Sequence, residues 1–156
     1  MKKIDAVLLI GPTGSGKTPF GEYLNNKKLF NKKCFHFDFG ENLRRIGRLY
    51  ENKSNYLKSA FSLLKDKDID IIINSLKRGI LLRDDQFYIA ENILLSFIKE
   101  KHIYENDLIL LNGLPRHTGQ AENIDRIVKI VNVIYLNCPD DTVYKRIKSN
   151  SGGDRT

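Results

Sequence analysis

A glycine-rich loop that follows an apolar run constrains this chain more than any other feature. Residues Ile4 to Ile10 are apolar and β-prone, and residues Gly11 to Thr18 fit the pattern G-x-x-x-x-G-K-[ST] at each fixed position. Gly11, Gly14 and Gly16 allow the backbone to curl so that successive N–H groups converge on an anion. A helix that begins at the end of the loop adds its positive dipole end. The pattern therefore predicts a phosphate-binding loop between a buried strand and a helix.

The side chains of this loop are predicted to hold a nucleoside triphosphate together with its Mg²⁺. Lys17 supplies a mobile cation for the β- and γ-phosphates, and we expect this side chain to face solvent. Thr18 places a hydroxyl where it can bind Mg²⁺. Pro19 is tolerated in the first helical turn, although it removes one N–H that could contact the α-phosphate. The predicted triphosphate-binding residues of the loop are Gly11, Gly14, Ser15, Gly16, Lys17 and Thr18.

Strands and helices alternate near both ends of the chain. The predicted strands are Ile4 to Ile10, Cys34 to Asp38, Leu108 to Leu111 and Val131 to Leu136. The last two are predicted to be buried and parallel. The helices predicted around them are Gly16 to Lys28, Gln120 to Ile130 and Pro139 to Lys148. This alternation predicts an α/β fold, a three-layer P-loop sandwich with a mainly parallel sheet.

The segment between these two regions reads as mostly helical. Its predicted helices are Glu41 to Glu51, Asn55 to Lys65 and Asp85 to Lys101, and Asp68 to Ile73 could be an edge strand or a helix and is predicted as helix. We therefore expect a P-loop core made of residues 1–38 and 107–148. Residues 39–106 would form a helical insertion that acts as a lid or a substrate-binding subdomain.

Composition limits the partners and the compartment of the chain. The 26 basic residues outnumber the 19 acidic ones, for a net charge of +7, but the lysines are scattered and not interleaved with aromatic residues. A basic surface that attracts nucleotides explains this charge, so we expect no nucleic-acid partner. No apolar run is long enough to cross a membrane, and we expect no secretory signal. Cys34 and Cys138 are interpreted as buried free thiols, so we expect a cytoplasmic protein. We also expect a monomer.

Four further motifs follow the loop in a fixed order. They are DFGENLR from Asp38 to Arg44, GILLRDD from Gly79 to Asp85, NGLPRHTGQ from Asn112 to Gln120, and Asp140, Arg146 and Gly153 to Arg155. Together with the loop, they make the chain resemble the adenylate kinase-like nucleoside monophosphate kinases along its whole length. The family's motifs read S-T-G-D-L-L-R, G-x-L-V-x-D-E, D-G-F-P-R-x-x-x-Q and P-D-…-R-…-G-R. The third match is the most specific, because its Pro-Arg pair and its glutamine both agree.

The resemblance implies that the chain transfers a phosphoryl group from ATP to a nucleoside monophosphate, with AMP favoured as acceptor. Arg44 and Arg116 would clamp the monophosphate through their planar forks, and Gln120 would read its base. Arg146 would lie over the ATP base, and Arg155 would approach from a lid. The residues that the resemblance assigns to the monophosphate site are Arg44, Gly79, Leu82, Gly113, Arg116 and Gln120. Those that it assigns to catalysis are Lys17, Arg116 and Arg155.

Departures from the family's motifs keep other functions open. Phe39 stands where the family has threonine, and Asn112 stands where it has the aspartate of D-G-F-P-R. The chain stops at Thr156 inside the lid motif, so we expect a C-terminally shortened member in which residues 149–156 begin a truncated lid. A nucleotide-binding regulatory protein with little kinase activity is the alternative, and an NTPase that acts by hydrolysis is a third function.

Several polar residues receive no functional role from the sequence. His36, His102 and His117 show no spacing that suggests a shared ligand, so each is interpreted as an ordinary surface or core histidine. Asp38 ends a predicted strand, where an aspartate usually caps a turn.

Overall fold

In the computed structural model, which describes residues 2–150, the apolar runs of the sequence pair into one sheet. Its strands are β1 (Ile4–Ile10), β2 (Lys28–Leu29), β3 (Lys32–Asp38), β4 (Leu108–Asn112) and β5 (Val128–Tyr135). The helices are α1 (Lys17–Leu24), α2 (Phe39–Glu51), α3 (Tyr56–Ala60), α4 (Asp66–Arg78), α5 (Phe87–Glu100), α6 (Thr118–Ile124) and α7 (Asp140–Ser149). A short 3₁₀ turn at Asp84–Gln86 precedes α5.

The sheet has the strand order β2-β3-β4-β1-β5. All pairs among β3, β4, β1 and β5 are parallel, and β2 pairs with β3 as a short antiparallel hairpin. Asp38 is in register with Asn112, and Asn112 is in register with Leu9. The carboxyl ends of β3, β4 and β1 therefore lie side by side. The predicted α/β class and the mainly parallel sheet are confirmed.

Alternate residues of the strands enter two apolar clusters, because successive side chains point to opposite faces of a sheet. On one face, Ala6, Phe37 and Leu111 pack with the buried residues of α2 to α6. On the other face, Val7 and Leu110 pack with α1. The sheet is therefore covered by apolar side chains of helices on both faces near its centre.

The helices of residues 39–100 are held to the sheet through α5. The rings of Phe97 on α5 and Phe37 on β3 meet edge to face, with their centroids 5.2 Å apart. Ile89 and Ile93 of α5 are fully buried in the same cluster. The helix predicted over Asp68 to Ile73 is confirmed as part of α4. The last helix of the segment is thus part of the core, on the face opposite α1.

Several element boundaries differ from the sequence prediction. Helix α1 ends at Leu24, because the chain turns through Asn26 (φ 65°) into the β2–β3 hairpin, which was not predicted. The helix expected from Asn55 to Lys65 stops at Ala60. The prediction of a helix up to Ile130 is also wrong beyond Ile124, where α6 ends. Strand β5 already begins at Val128, which is fully buried and pairs with Ile4.

Strand β5 and one cysteine are more exposed than predicted. β5 lies at the edge of the sheet, and its Val131 and Tyr135 are 42% and 62% exposed, so the prediction of a buried strand is wrong there. Cys34 is buried as predicted, and burial raises the pKa of its thiol, whereas Cys138 is only half-buried. Across residues 2–150, no helix has both the length and the apolar composition that a membrane span requires.

A half-buried ion pair joins α2 and α5. The Arg45 guanidinium donates to both carboxylate oxygens of Glu100, at 2.7 and 2.5 Å, and the Tyr56 hydroxyl donates to the same carboxylate at 2.7 Å. The hydrogen bond from Arg45 is the largest cause that lowers the pKa of Glu100 from 4.5 to about 2, against the opposing effect of burial. Ionised Glu100 therefore stabilises the contact between these helices.

Replacing Glu100 with glutamine is expected to lower the free energy of unfolding by about 2 kcal/mol at neutral pH, less than the full pKa shift implies, because solvent screens a half-buried pair. Because the folded-state pKa is lowered, this stabilisation is complete above the unfolded value near 4.5 and disappears as the pH falls towards about 2. Urea unfolding of both proteins over this pH range measures the difference. The exposed Glu105→Gln is the matched control and should change stability by less than about 0.5 kcal/mol. A Glu100→Gln difference that does not depend on pH would contradict this assignment.

Candidate functional site

The glycine-rich loop connects β1 to α1 in the predicted strand–loop–helix order. Gly11, Gly14 and Gly16 adopt positive φ angles of 148°, 84° and 100°, which L side chains rarely tolerate. A Cβ on Gly11 would also lie 2.7 Å from the backbone oxygen of Leu136. The loop can therefore curl tightly at these positions, because they carry no side chain.

Lys17 is half-buried and its side chain turns back onto the loop, whereas the prediction had it facing solvent. Its Nζ donates to the carbonyl oxygens of Gly11 at 2.6 Å and Pro12 at 2.9 Å, so two of its three hydrogens have partners within the loop. Desolvation lowers the pKa of Lys17, the charge of Asp38 opposes this shift, and the charge of Arg116 adds to it. Two cations, Lys17 and Arg116, thus lie within electrostatic reach of each other at the loop.

The hydroxyl of Ser15 lies inside the loop and lacks a hydrogen-bond partner among the described residues. The residue is 8% exposed. A buried hydroxyl without a partner is costly, and such groups usually mark a place where a ligand or an ordered water binds. The loop therefore offers a polar group that a phosphate oxygen could satisfy.

Thr18, Asp38 and Asn112 meet next to the loop in a tight polar network. The Thr18 hydroxyl donates to Asp38 Oδ2 at 2.7 Å. The Asn112 amide lies 3.1 Å from Thr18 Oγ1 and 3.0 Å from Asp38 Oδ2. Asp38 also caps α2, since its Oδ1 accepts from the Glu41 N–H at 3.0 Å. The turn-capping interpretation of Asp38 is confirmed, but it accounts for only one of the two carboxylate oxygens.

A buried histidine, His36, continues this network, although its spacing in the sequence suggested no shared ligand. His36 is 7% exposed; its Nδ1 lies 2.8 Å from Glu22 Oε1, and its Nε2 lies 3.4 Å from the Asn112 amide. A Cβ on Gly21 of α1 would lie only 2.3 Å from the His36 ring. One sequence signal indicates part of this network: Asp38 and Asn112 are polar residues that end two predicted strands, and the ends of neighbouring parallel strands lie close together.

Arg116 and Gln120 are brought together after β4. Gln120 is buried, and its Oε1 accepts from the backbone N–H of Arg116 at 2.8 Å. The Arg116 Nε donates to the carbonyl of Gly113 at 3.2 Å. Gln120 thus fixes the backbone from which the Arg116 side chain extends, and its role in reading a base stays a prediction.

Arg44 lies across a glycine–glycine contact from Arg116. A Cβ on Gly113 would lie 4.0 Å from the backbone nitrogen of Gly40, and a Cβ on Gly40 would lie 3.4 Å from the Arg44 guanidinium. Arg44 pairs with Glu41 through a contact of 3.1 Å between Nε and Oε2. The two predicted clamp arginines are therefore both close to the Gly40–Gly113 contact.

Gly79 and Leu82 have structural roles in the fold. Gly79 ends α4 in a left-handed conformation with φ 63°, and Leu82 packs against the larger apolar cluster. Both residues lie in the loop between α4 and the 3₁₀ turn. Asp84, at the start of that turn, contacts the segment after β4, because its Oδ1 lies 2.8 Å from His117 Nε2. The assignment of Gly79 and Leu82 to the monophosphate site stays a prediction. Phe39, the departure from threonine, is buried in the apolar cluster.

Arg146 of α7 contacts the loop directly. Its Nη1 donates to the carbonyl of Gly14 at 3.0 Å and to Cys138 Sγ at 3.7 Å. Its place over the ATP base stays a prediction. Arg155, the third residue assigned to catalysis, lies outside the described residues, as does most of the predicted lid at 149–156.

No protein-family model matches this chain. The adenylate kinase of Buchnera aphidicola subsp. Cinara cedri is 28% identical over 141 residues, which cover 90% of this chain and 54% of that protein. The adenylate kinase of Prochlorococcus marinus (strain MIT 9301) is 24% identical over 155 residues, or 96% of this chain and 71% of that protein.

A third relative extends the same pattern. The adenylate kinase of Borrelia garinii subsp. bavariensis is 28% identical over 143 residues, which cover 90% of this chain and 56% of that protein. The chain therefore spans about half to seven-tenths of the length of these curated relatives. The resemblance that the motifs predicted is confirmed: this chain is similar to adenylate kinases over at least nine-tenths of its residues.

Proposed function

We propose that this chain binds ATP at the glycine-rich loop and transfers its terminal phosphoryl group to a nucleoside monophosphate, with AMP favoured. The observation that carries the proposal is the curled glycine loop after β1, which holds the Lys17 ammonium at its carbonyls and the buried Ser15 hydroxyl without a hydrogen-bond partner among the described residues. Such a loop suits an anion, and it lies at the carboxyl edge of a parallel sheet, where ligands of α/β proteins bind. The similarity to adenylate kinases supports the same reaction.

The residues at this edge suit phosphoryl transfer, which depends on positioning and on charge neutralisation more than on a strong base. Lys17 would exchange the carbonyls of Gly11 and Pro12 for phosphate oxygens, and the Ser15 hydroxyl would gain a partner. Arg116, on a backbone fixed by Gln120, would hold the acceptor phosphate.

Magnesium is expected to arrive with ATP. Mg²⁺ is usually bound by one or two protein side chains together with phosphates, rather than by a complete protein cage. The described residues fit this description, because they contain no group of three or more metal-ligating side chains but place the Thr18 hydroxyl beside the loop. The ion would neutralise negative charge on the phosphates.

We further propose that the chain has a three-layer P-loop fold in which one part moves and the rest stays fixed. Residues 39–106 would form the acceptor-binding insertion, and its moving part would be limited to α2, α3 and α4. Helix α5 would remain fixed, because Phe97 packs on Phe37 of the sheet. Closure of the other helices over the acceptor would exclude water and favour transfer over hydrolysis.

The proposal is tested by incubating the protein with Mg-ATP and each nucleoside monophosphate in turn. The expected result is a pair of nucleoside diphosphates with one preferred acceptor. ATP binding without any turnover would overturn the kinase proposal in favour of a binding protein. Release of inorganic phosphate that is independent of every acceptor would favour an NTPase.

Replacing Arg116 with lysine is expected to raise the KM for the monophosphate at least 10-fold while leaving the KM for ATP within about two-fold. Lysine keeps the charge but loses the bidentate fork, whose second charge-assisted bond contributes about 1.5 kcal/mol or more. Steady-state kinetics with each substrate varied in turn provides the measurement. Arg126→Lys, at an exposed arginine after α6, is the control. Wild-type KM values in Arg116→Lys would remove Arg116 from the acceptor site.

A further inference from the structure

We propose that Asp38 supplies the protein carboxylate for Mg²⁺ at this site, in place of the aspartate that the family's motif has at position 112. This inference rests on the proposed function, since the ion would come with ATP. The family's motifs place serine where this chain has Asp38 and aspartate where it has Asn112. One carboxylate is thus present in either case, but it belongs to a different strand.

The register of the sheet makes this exchange possible. Asp38 and Asn112 are paired at the carboxyl ends of β3 and β4, so a carboxylate at either position reaches the same space. Asp38 Oδ2 lies 2.7 Å from the hydroxyl of Thr18, the residue of the loop that is expected to bind Mg²⁺. Asp38 is also close enough to Lys17 for their charges to interact. The carboxylate therefore lies next to the expected positions of both phosphate and ion.

The two oxygens of Asp38 are divided between two roles. Oδ1 accepts the hydrogen bond from the Glu41 N–H that caps α2, and Oδ2 faces Thr18 and Asn112. An asparagine or a serine would serve the capping role equally well, since all three residues are favoured N-caps. Capping therefore explains why a polar residue ends β3, but it does not require the negative charge.

The amide at position 112 is the complement of this carboxylate. Asn112 Nδ2 lies 3.0 Å from Asp38 Oδ2, a distance at which it donates a hydrogen bond. An aspartate at 112 would put two carboxylates at the same distance, where their charges repel each other. With Asp38 present, an amide at 112 donates a hydrogen bond to that carboxylate and avoids this repulsion.

His36 and Glu22 fix the orientation of that amide. The Glu22 carboxylate can only accept, so the His36 Nδ1, 2.8 Å away, carries a hydrogen. Asn112 Nδ2 lies 3.0 Å from the Asp38 carboxylate and 3.4 Å from His36 Nε2, so the NH₂ side of the amide, and not its oxygen, faces this cluster. Glu22 and His36 are therefore positioning residues that act on Asp38 through Asn112.

The test compares the affinity for ATP with and without Mg²⁺ by calorimetry in the wild type, Asp38→Asn, and the exchange variant Asp38→Asn/Asn112→Asp. In the wild type, Mg²⁺ should tighten ATP binding. Asp38→Asn should reduce that ratio of affinities at least 10-fold, while ATP binding without Mg²⁺ should stay the same or improve. The exchange variant should recover most of the ratio, because it returns one carboxylate to the same space.

Two controls separate the metal role from structural effects. Asp5→Asn removes a carboxylate that pairs with Lys32 at the opposite end of the sheet, and it should leave the ratio unchanged. Asp38→Ser provides a second capping residue without charge and should behave as Asp38→Asn, which protects the test against misfolding of one variant.

The possible results distinguish this assignment from the proposed function. If the wild type does not bind ATP, the proposed function fails, and this assignment fails with it. If the wild type binds ATP with a clear Mg²⁺ dependence that Asp38→Asn retains, only the assignment of Asp38 is overturned. Failure of the exchange variant to recover the ratio, with the fold intact by circular dichroism, would also count against it.

Discussion

Replacing Lys17 with alanine is expected to weaken ATP binding by about 30-fold or more, because a charge-assisted contact worth about 2 kcal/mol is lost from a partly desolvated site. Folding should not suffer. Desolvation lowers the pKa of Lys17 in the folded protein, so the free energy of unfolding should remain the same or increase slightly in the variant. Calorimetric titration with ATP and urea unfolding of the same preparations measure the two effects.

The matched control for this prediction is Lys28→Ala. Lys28 is exposed on β2 and pairs with Lys33 in the hairpin, at the opposite end of the sheet from the loop. The Lys28→Ala variant removes the same charge from the protein and should change ATP affinity less than two-fold at physiological salt. Equal losses in both variants would mean that net charge, and not the position of Lys17, governs binding. Unchanged affinity in folded Lys17→Ala would remove Lys17 from the site.

Replacing Gly21 with alanine is expected to lower the free energy of unfolding by about 3 kcal/mol, the upper end of the cost of overpacking a core. The added Cβ would lie 2.3 Å from Cδ2 and Nε2 of His36. The ring has little room to move, because Glu22 and Asn112 hold its two nitrogens. Helix α1 must therefore shift away from the sheet, and it would carry Thr18 away from Asp38.

Gly119→Ala is the control for this second prediction. Gly119 also lies in a helix beside a histidine, but a Cβ there would be 3.6 Å from the nearest atoms of the His117 ring, which is ordinary contact. Its effect should stay within about 1 kcal/mol and could be stabilising, since alanine favours helix. Thermal unfolding of both variants, with ATP titration of Gly21→Ala, separates them. Equal stability of the two variants would show that α1 is not fixed by His36.

The sequence was sufficient for the parts of the fold that depend on local pattern. Strand β1 and the loop after it lie where the apolar run and the glycine pattern predicted them. Helix α4 forms at Asp68 to Ile73, as predicted, where the alternation of polar and apolar residues also allowed a strand. The resemblance to adenylate kinases was also evident from motifs. In each case the deciding information lies within a few neighbouring residues, as it does for capping, loop conformation and amphipathic periodicity.

Features that depend on contacts between distant residues could not be predicted. Nothing near His36 in the sequence indicates Glu22 and Asn112 as its partners, because the sheet register creates that contact. The inward turn of Lys17 depends on the fold of the loop carbonyls rather than on residue type. Similarly, whether β5 has a neighbour on its outer side is a property of strand order, which apolar content does not encode.

Strand β3 has consequences for which insertions and deletions the chain can tolerate. Phe35 and Phe37 enter the larger apolar cluster, and Cys34 is buried with α1 on the opposite side. Deleting one residue inside the strand would exchange these faces, placing a phenyl ring against α1 and a polar side chain in the apolar cluster. It would also shift Asp38 out of register with β4. Relatives of this chain should therefore vary in length within exposed loop segments, such as residues 104–106, and keep the seven residues of this strand.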